Sequence, residues 1–312
     1  MEKELRAEDL FVKESNKLPM VDPEYEVVVK LSSLGKLGLP AVVHVKDYSF
    51  DDTMLFAKAN QNNESAIVLK LIDSLVFEDI DLNKVTRQDV VEILMAIQGT
   101  YYTGIIDGKQ YFINENLTGE ALTAKENIST ATIKINDIKT KPLADNVTVP
   151  IKISNKSFEI LFDYPRLIHD AKAREYIDEK FAAEDNKYSE LIQKRNRNDI
   201  SAAELKELNE YEDGKTAEFI RVLTAQQILS FNGEKPENID EQLKLLHKIP
   251  LAVITLLTKI LEINFDFGVQ SEVSFLDNQT EQPITRRFNF RYTDFIPSLE
   301  QRDGVGFDVS FG

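Results

Sequence analysis

The chain has 312 residues with 37 Lys+Arg against 53 Asp+Glu, a formal net charge of −16, and 42% hydrophobic residues. Its length is a prior for about two domains, and its hydrophobic content suits a packed core rather than a disordered chain. With no Cys, no Trp and three His, it excludes a disulfide framework, a Cys-based zinc or iron–sulfur site and a cysteine nucleophile, and the acidic excess argues against nucleic-acid binding.

Residues 1–23 read as a polar N-terminal arm with Leu10-Phe11-Val12 as its apolar cluster, without the long apolar core of a signal peptide. Residues 24–163 read as a mixed α/β domain. Val27-Val28-Val29 and Val42-Val43-His44-Val45 are β-branched runs on either side of a Gly/Leu-rich loop. Ser49-Phe50-Asp51-Asp52 predicts a capping box opening a short helix. Ser65 is the expected cap of a helix over 66–77 with Ile67, Val68, Leu71, Ile72 and Leu75 as its apolar stripe. Thr86-Arg87-Gln88-Asp89 opens a helix that is apolar almost all round, and Gly99 is its expected stop. Beyond it, Asp107-Gly108-Lys109 predicts a hairpin turn between 101–106 and 110–113. The stretch 118–124 reads as a loop, and 127–136, 147–153 and 157–162 as strands.

Pro165 introduces a helical region over 164–263. It includes a densely charged helical hairpin around 184–213, a capping box at Ser201-Ala202-Ala203-Glu204, a helix stop at Asn232-Gly233 and a new helix from Pro250. The longest apolar run, Leu245 to Ile263, is too short and too charged to span a membrane. Residues 264–312 return to alternation as a β-hairpin and C-terminal tail. Phe265, Phe267, Val273, Phe275, Phe288, Phe290 and Tyr292 all alternate with polar residues. The expected fold class is α+β: an N-terminal mixed domain, a central helical region and an antiparallel hairpin tail. The expected location is the cytoplasm.

No catalytic constellation emerges. Gly214-Lys215-Thr216 resembles the end of a phosphate-binding loop, but Asn209 stands where the loop needs its first Gly. Asp79, Asp81 and Asn83 imitate a calcium loop, with Lys84 and Val90 in place of the turn Gly and closing Glu. His44, His169 and His247 are far apart, and no G-x-S-x-G elbow is present. Two features suit partner contact. Arg286, Arg287 and Arg291 form a local basic cluster that fits either an acidic partner face or an ordinary amphipathic hairpin. Phe307, Val309 and Phe311 share one face of a terminal strand that either closes its own sheet or adds to another chain's sheet edge.

The segment Val27 to Gly104 resembles the baseplate protein family of contractile-tailed, T-even-like bacteriophages (myoviruses), of the hub or hub-assembly type. The resemblance rests on Leu31-Ser32-Ser33-Leu34-Gly35, the strand Val42 to Val45, and Tyr48-Ser49-Phe50-Asp51-Asp52. It continues through the apolar helices over 67–77 and 85–97, the link Asp79-Ile80-Asp81-Leu82 and the turn Gly99 to Gly104. Phe295-Ile296-Pro297-Ser298 is similar to aromatic-proline endings in related chains. Ser32 stands where the family pattern has Pro, and the Cys pairs that some relatives carry near the C-terminal hairpin are absent here. The resemblance therefore implies that Phe265, Phe275, Phe288 and Phe290 staple the hairpin. It also implies a tail assembly or structural protein, not an enzyme, without cofactor or metal. Its partners would be other tail and baseplate proteins in a homo-oligomer or ring-symmetric assembly, with no nucleic acid or membrane. It would act in the host cytoplasm and be a candidate virion component. The readings from other classes are a hydrolase using acidic residues and an assembly chaperone shielding a basic client.

Overall fold

The computed structural model describes residues 27–60, 62–114, 116–276 and 282–296. Strands β1 (Val27–Lys30) and β2 (Val42–Val45) pair antiparallel, with Val29 opposite Val43. Val29, Val43 and Val45 face inward and are buried. Their connection turns at Leu34, Gly35 and Gly38, all at positive φ. At Gly38 a Cβ would lie 2.5 Å from Lys84 Cβ, so the residue is glycine for both conformation and space. Helix α1 (Phe50–Phe56) opens with the expected box, Ser49 accepting from Asp52 N.

Helix α2 (Glu64–Leu75) buries Ile67, Val68, Leu71, Ile72 and Leu75. Ser65 does not cap it. Asn63 holds that position, and Ser65 sits inside the first turn, donating to Asp170 Oδ2 at 2.5 Å. Helix α3 (Arg87–Tyr101) is capped by Thr86 as expected and buries Val90, Val91, Ile93, Leu94 and Ile97. Gly99 does not stop it. A Cβ there would stand 3.3 Å from Ile135 Cγ2, so this glycine serves packing, and the chain turns away at Gly104 (φ 62) instead.

The expected hairpin at Asp107-Gly108 is a bulge in one continuous strand, β3 (Ile105–Phe112). After the one-turn helix α4 (Glu120–Thr123), in what read as a loop, β4 (Ile128–Lys134) pairs antiparallel with β3. The register jumps from Ile106 opposite Ile133 to Lys109 opposite Ala131. A two-residue turn and a bulge both need positive φ, which Gly108 supplies at 67°, and the local signal does not distinguish them.

β5 (Thr140–Lys141), β6 (Ile151–Ser154) and β7 (Glu159–Phe162) follow. Helices α5 (Leu167–Asn196) and α6 (Ala202–Gln226) then form the charged helical hairpin, with the Ser201–Glu204 box intact. The stretch 164–263 is not helical throughout. β8 (Ile228–Phe231) lies within it and completes a sheet in the order β6–β7–β8. Asn232 and Gly233, both at positive φ, turn the chain after β8 rather than ending a helix, and Phe231 bridges to Glu234. α7 (Ile239–Lys248) and α8 (Leu251–Asn264) follow, the latter starting after Pro250 as expected.

β9 (Gly268–Val269) pairs with β5. The hairpin of β10 (Glu272–Leu276) and β11 (Pro283–Arg287) ends earlier than the alternation suggested. Phe288 and Phe290 lie beyond its second arm, buried in the same core as α3, β3 and β4. Tyr111, Phe275 and Phe288 meet edge to face, and Phe290 contacts Phe295 at 5.7 Å between ring centres. Burial of such a side chain is worth about 2 kcal/mol, so this set anchors the hairpin. Phe265 and Phe267 pack instead on Tyr164, in a second cluster under β6–β8 and α8. The architecture is α+β, as the sequence implied.

Candidate functional site

The Leu31–Gly35 loop is held from inside by α3. Ser32 N donates to Glu92 Oε2 at 2.7 Å, and Leu143 N donates to Ser32 O at 2.8 Å. Glu92 is buried, and its Oε1 has no hydrogen-bond partner among the described residues. One turn earlier, Asp89 is fully buried. Its Oδ2 accepts from Thr86 Oγ1 at 2.7 Å, while its Oδ1 has no partner among those residues. Burial pushes both carboxyls above the usual carboxylate range. For Asp89, Thr86, Ser33 and the Arg166 guanidinium pull the other way; for Glu92, Ser32 does, while the charge of Asp89 adds to the rise. Arg166, also buried, donates to Lys84 O at 2.9 Å and to Leu37 O, and pairs with Asp163 at 3.0 Å. This cluster ties the loop, α3 and the start of α5 into one unit. Neither acid reaches the surface, so the cluster joins loop and helix from inside and presents no reactive group to solvent.

The three histidines are not brought together. His44 Nδ1 sits 2.6 Å from Glu78 Oε1 on the outer face of β2. His169 Nδ1 accepts from Arg166 N at 3.3 Å, and burial brings its pKa down to about 4. His247 lies 3.1 Å from an Arg221 nitrogen. Asp81 spends its carboxylate on Asn83 N, and Lys215 pairs with Asp185 within the helical hairpin. Among the described residues no group of three or more His, Asp or Glu could hold a metal ion.

The arginines of the C-terminal hairpin do not make one basic patch. Arg286 donates to Phe112 O and Ile113 O, 3.2 and 3.0 Å away, fastening β11 to the end of β3. Arg287, its neighbour on the opposite face, pairs with Glu272 at 2.9 Å. Arg291 is exposed, and its backbone N–H donates to Asp294 at 2.6 Å. Phe307, Val309 and Phe311 lie outside the described residues.

One face was missed by sequence reasoning. α8 buries Val253 and Leu257 yet leaves Leu251 79%, Leu256 46% and Ile263 76% exposed. Ala252, Leu256, Lys259 and Ile263 follow one another at helical spacing, so most of an outward row is apolar. The signal was the α8 part of the apolar run, Leu251 to Ile263, which holds more apolar residues than one buried face of a helix can use. Among the described residues no helix is long and apolar enough to cross a membrane. No family model, curated protein or solved structure matches this chain.

Proposed function

We propose that this chain is a bacteriophage tail baseplate protein of the hub or hub-assembly type, working through protein–protein contacts rather than catalysis. The observation that carries the reading is the apolar row on α8. On that row Leu256 is 46% and Ile263 76% exposed, on a chain of net charge −16. An apolar row rimmed by charge suits a face covered by another protein. The segment similar to the baseplate family adds to this, since its opening loop is built as a rigid, internally bonded part. Its partners are other tail and baseplate proteins in a homo-oligomeric or ring-symmetric assembly. It acts in the host cytoplasm during assembly, and the finished tail is its destination if it is retained.

The test replaces Leu256 and Ile263 by Glu, both outside the core. Co-expressed with the tail proteins of its own phage, the wild-type chain co-purifies with at least one of them. The Leu256→Glu/Ile263→Glu chain keeps its melting temperature and loses that partner. Unchanged co-purification of the variant contradicts the role given to α8.

A further inference from the structure

The outer seam of α8 fits a second copy of itself, and we infer that two copies of this chain pair there, helix against antiparallel helix. The inference rests on the reading of α8 as a covered face and names what covers it. Ala252, Leu256, Lys259 and Ile263 are exposed and follow one another in steps of four, three and four. That is the spacing of a seam that meets another helix running alongside. Beside it, Thr255 Oγ1 and Thr258 Oγ1 donate to Leu251 O and Ile254 O, both at 3.1 Å. Their hydroxyls are satisfied within the helix, so covering them strands no donor.

Shape and charge select the occupant. Two antiparallel copies centred between residues 257 and 258 place Ala252 of each opposite Ile263 of the other, small against large. The same register lays the apolar stem of Lys259 along Leu256 of the other copy and leaves its ammonium in water at the rim. A parallel pair would instead set Lys259 against Lys259. The charged residues of α8 are one cation and one anion, Lys259 and Glu262, and neither has an ion-pair partner among the described residues. A face of zero net charge on a chain of −16 suits neither a basic nor an acidic partner, and does suit itself.

One face of a helix of 14 residues, about 21 Å long, is less than a permanent dimer buries. The pair is therefore weak, and its population depends on concentration. The acidic remainder of each copy repels the other, so salt that screens this repulsion strengthens the pair.

Sedimentation equilibrium of the purified full chain, without tail proteins, reads the pairing. The average mass should rise from one copy toward two across the micromolar range, and more steeply at about 500 mM than at about 50 mM NaCl. Leu256→Glu, at a side chain already 46% exposed, keeps the melting temperature and weakens association roughly tenfold or more. Register is read by cross-linking, since the chain has no Cys of its own. An Ala252→Cys chain mixed with an Ile263→Cys chain should form the mixed disulfide under mild oxidation far faster than either links to itself. Like positions lie about 16 Å apart along the pair, too far for a disulfide. A monomer throughout that range, undiminished association of a folded Leu256→Glu chain, or self-links as fast as the mixed one would each overturn the inference. None of these outcomes decides the baseplate reading, which stands or falls on the tail proteins recovered with the chain.

Discussion

Lys109 Nζ lies 2.5 Å from Asp294 Oδ2, joining the bulge of β3 to the turn that follows β11 across most of the chain's length. Both side chains are nearly buried, and Lys109 also sits 5.5 Å from the Phe290 ring centre. The bulge is what aims Lys109 at this turn.

A buried pair broken on one side leaves a charge without compensation. Asp294→Ala is therefore expected to cost about 3 kcal/mol in urea unfolding. Lys109→Met combined with Asp294→Asn removes both charges, keeps an acceptor for Arg291 N, and should recover most of that loss. A double variant as unstable as Asp294→Ala would show that the pair is not what holds the turn.

The acids under the Leu31–Gly35 loop shape the stability profile above the ordinary carboxylate range. Asp89 and Glu92 are raised by burial, so the folded state binds protons there more tightly than the unfolded chain does. That contribution is complete below the ordinary carboxylate range and is lost as pH rises through the raised values. Glu92→Gln keeps an acceptor for Ser32 N and removes the charge. It should raise stability at pH 8 by roughly 1 kcal/mol and leave pH 4 nearly unchanged, as read by urea midpoints. A loss at pH 8 would contradict a buried, under-partnered carboxylate.

His169 acts in the opposite direction. Burial first, then the charges of Arg166 and Lys172, bring it from 6.5 down to about 4, against the pull of Asp163. Its neutral form is favoured by folding, so stability is present above 6.5 and lost as pH falls toward 4. The loss amounts to about 3 kcal/mol at most. His169→Asn offers its side-chain oxygen to Arg166 N in place of Nδ1 and should flatten this acid limb. An unchanged acid limb in that variant would assign the loss elsewhere.

What could be read from the sequence was local. The boxes at Ser49–Asp52 and Ser201–Glu204 and the cap at Thr86 form within one turn of helix, so residue type and spacing suffice to find them. Asp107-Gly108 misled because a bulge and a turn share one backbone requirement. β8 was hidden because its identity comes from pairing with β7, more than sixty residues earlier. Phe288 and Phe290 kept the alternation of a strand after the ladder had ended, since burial and not pairing selects them. Asp89 reads as part of the Thr86–Asp89 box and the helix around Glu92 as apolar almost all round, and only the packing shows that both carboxyls are enclosed. The clue was Glu92 between Val91 and Ile93 in a helix with almost no polar face. On α8 the apolar residues were plain, and only the fold decided which of them lack a neighbour.

The proposed work in a contractile tail is tested by mass spectrometry of purified phage particles and of tail complexes fractionated from infected cells. Peptides of this chain are expected in the baseplate fraction, or in an assembly complex together with other tail proteins. Recovery only as an isolated species, absent from both particles and tail complexes, would overturn that role.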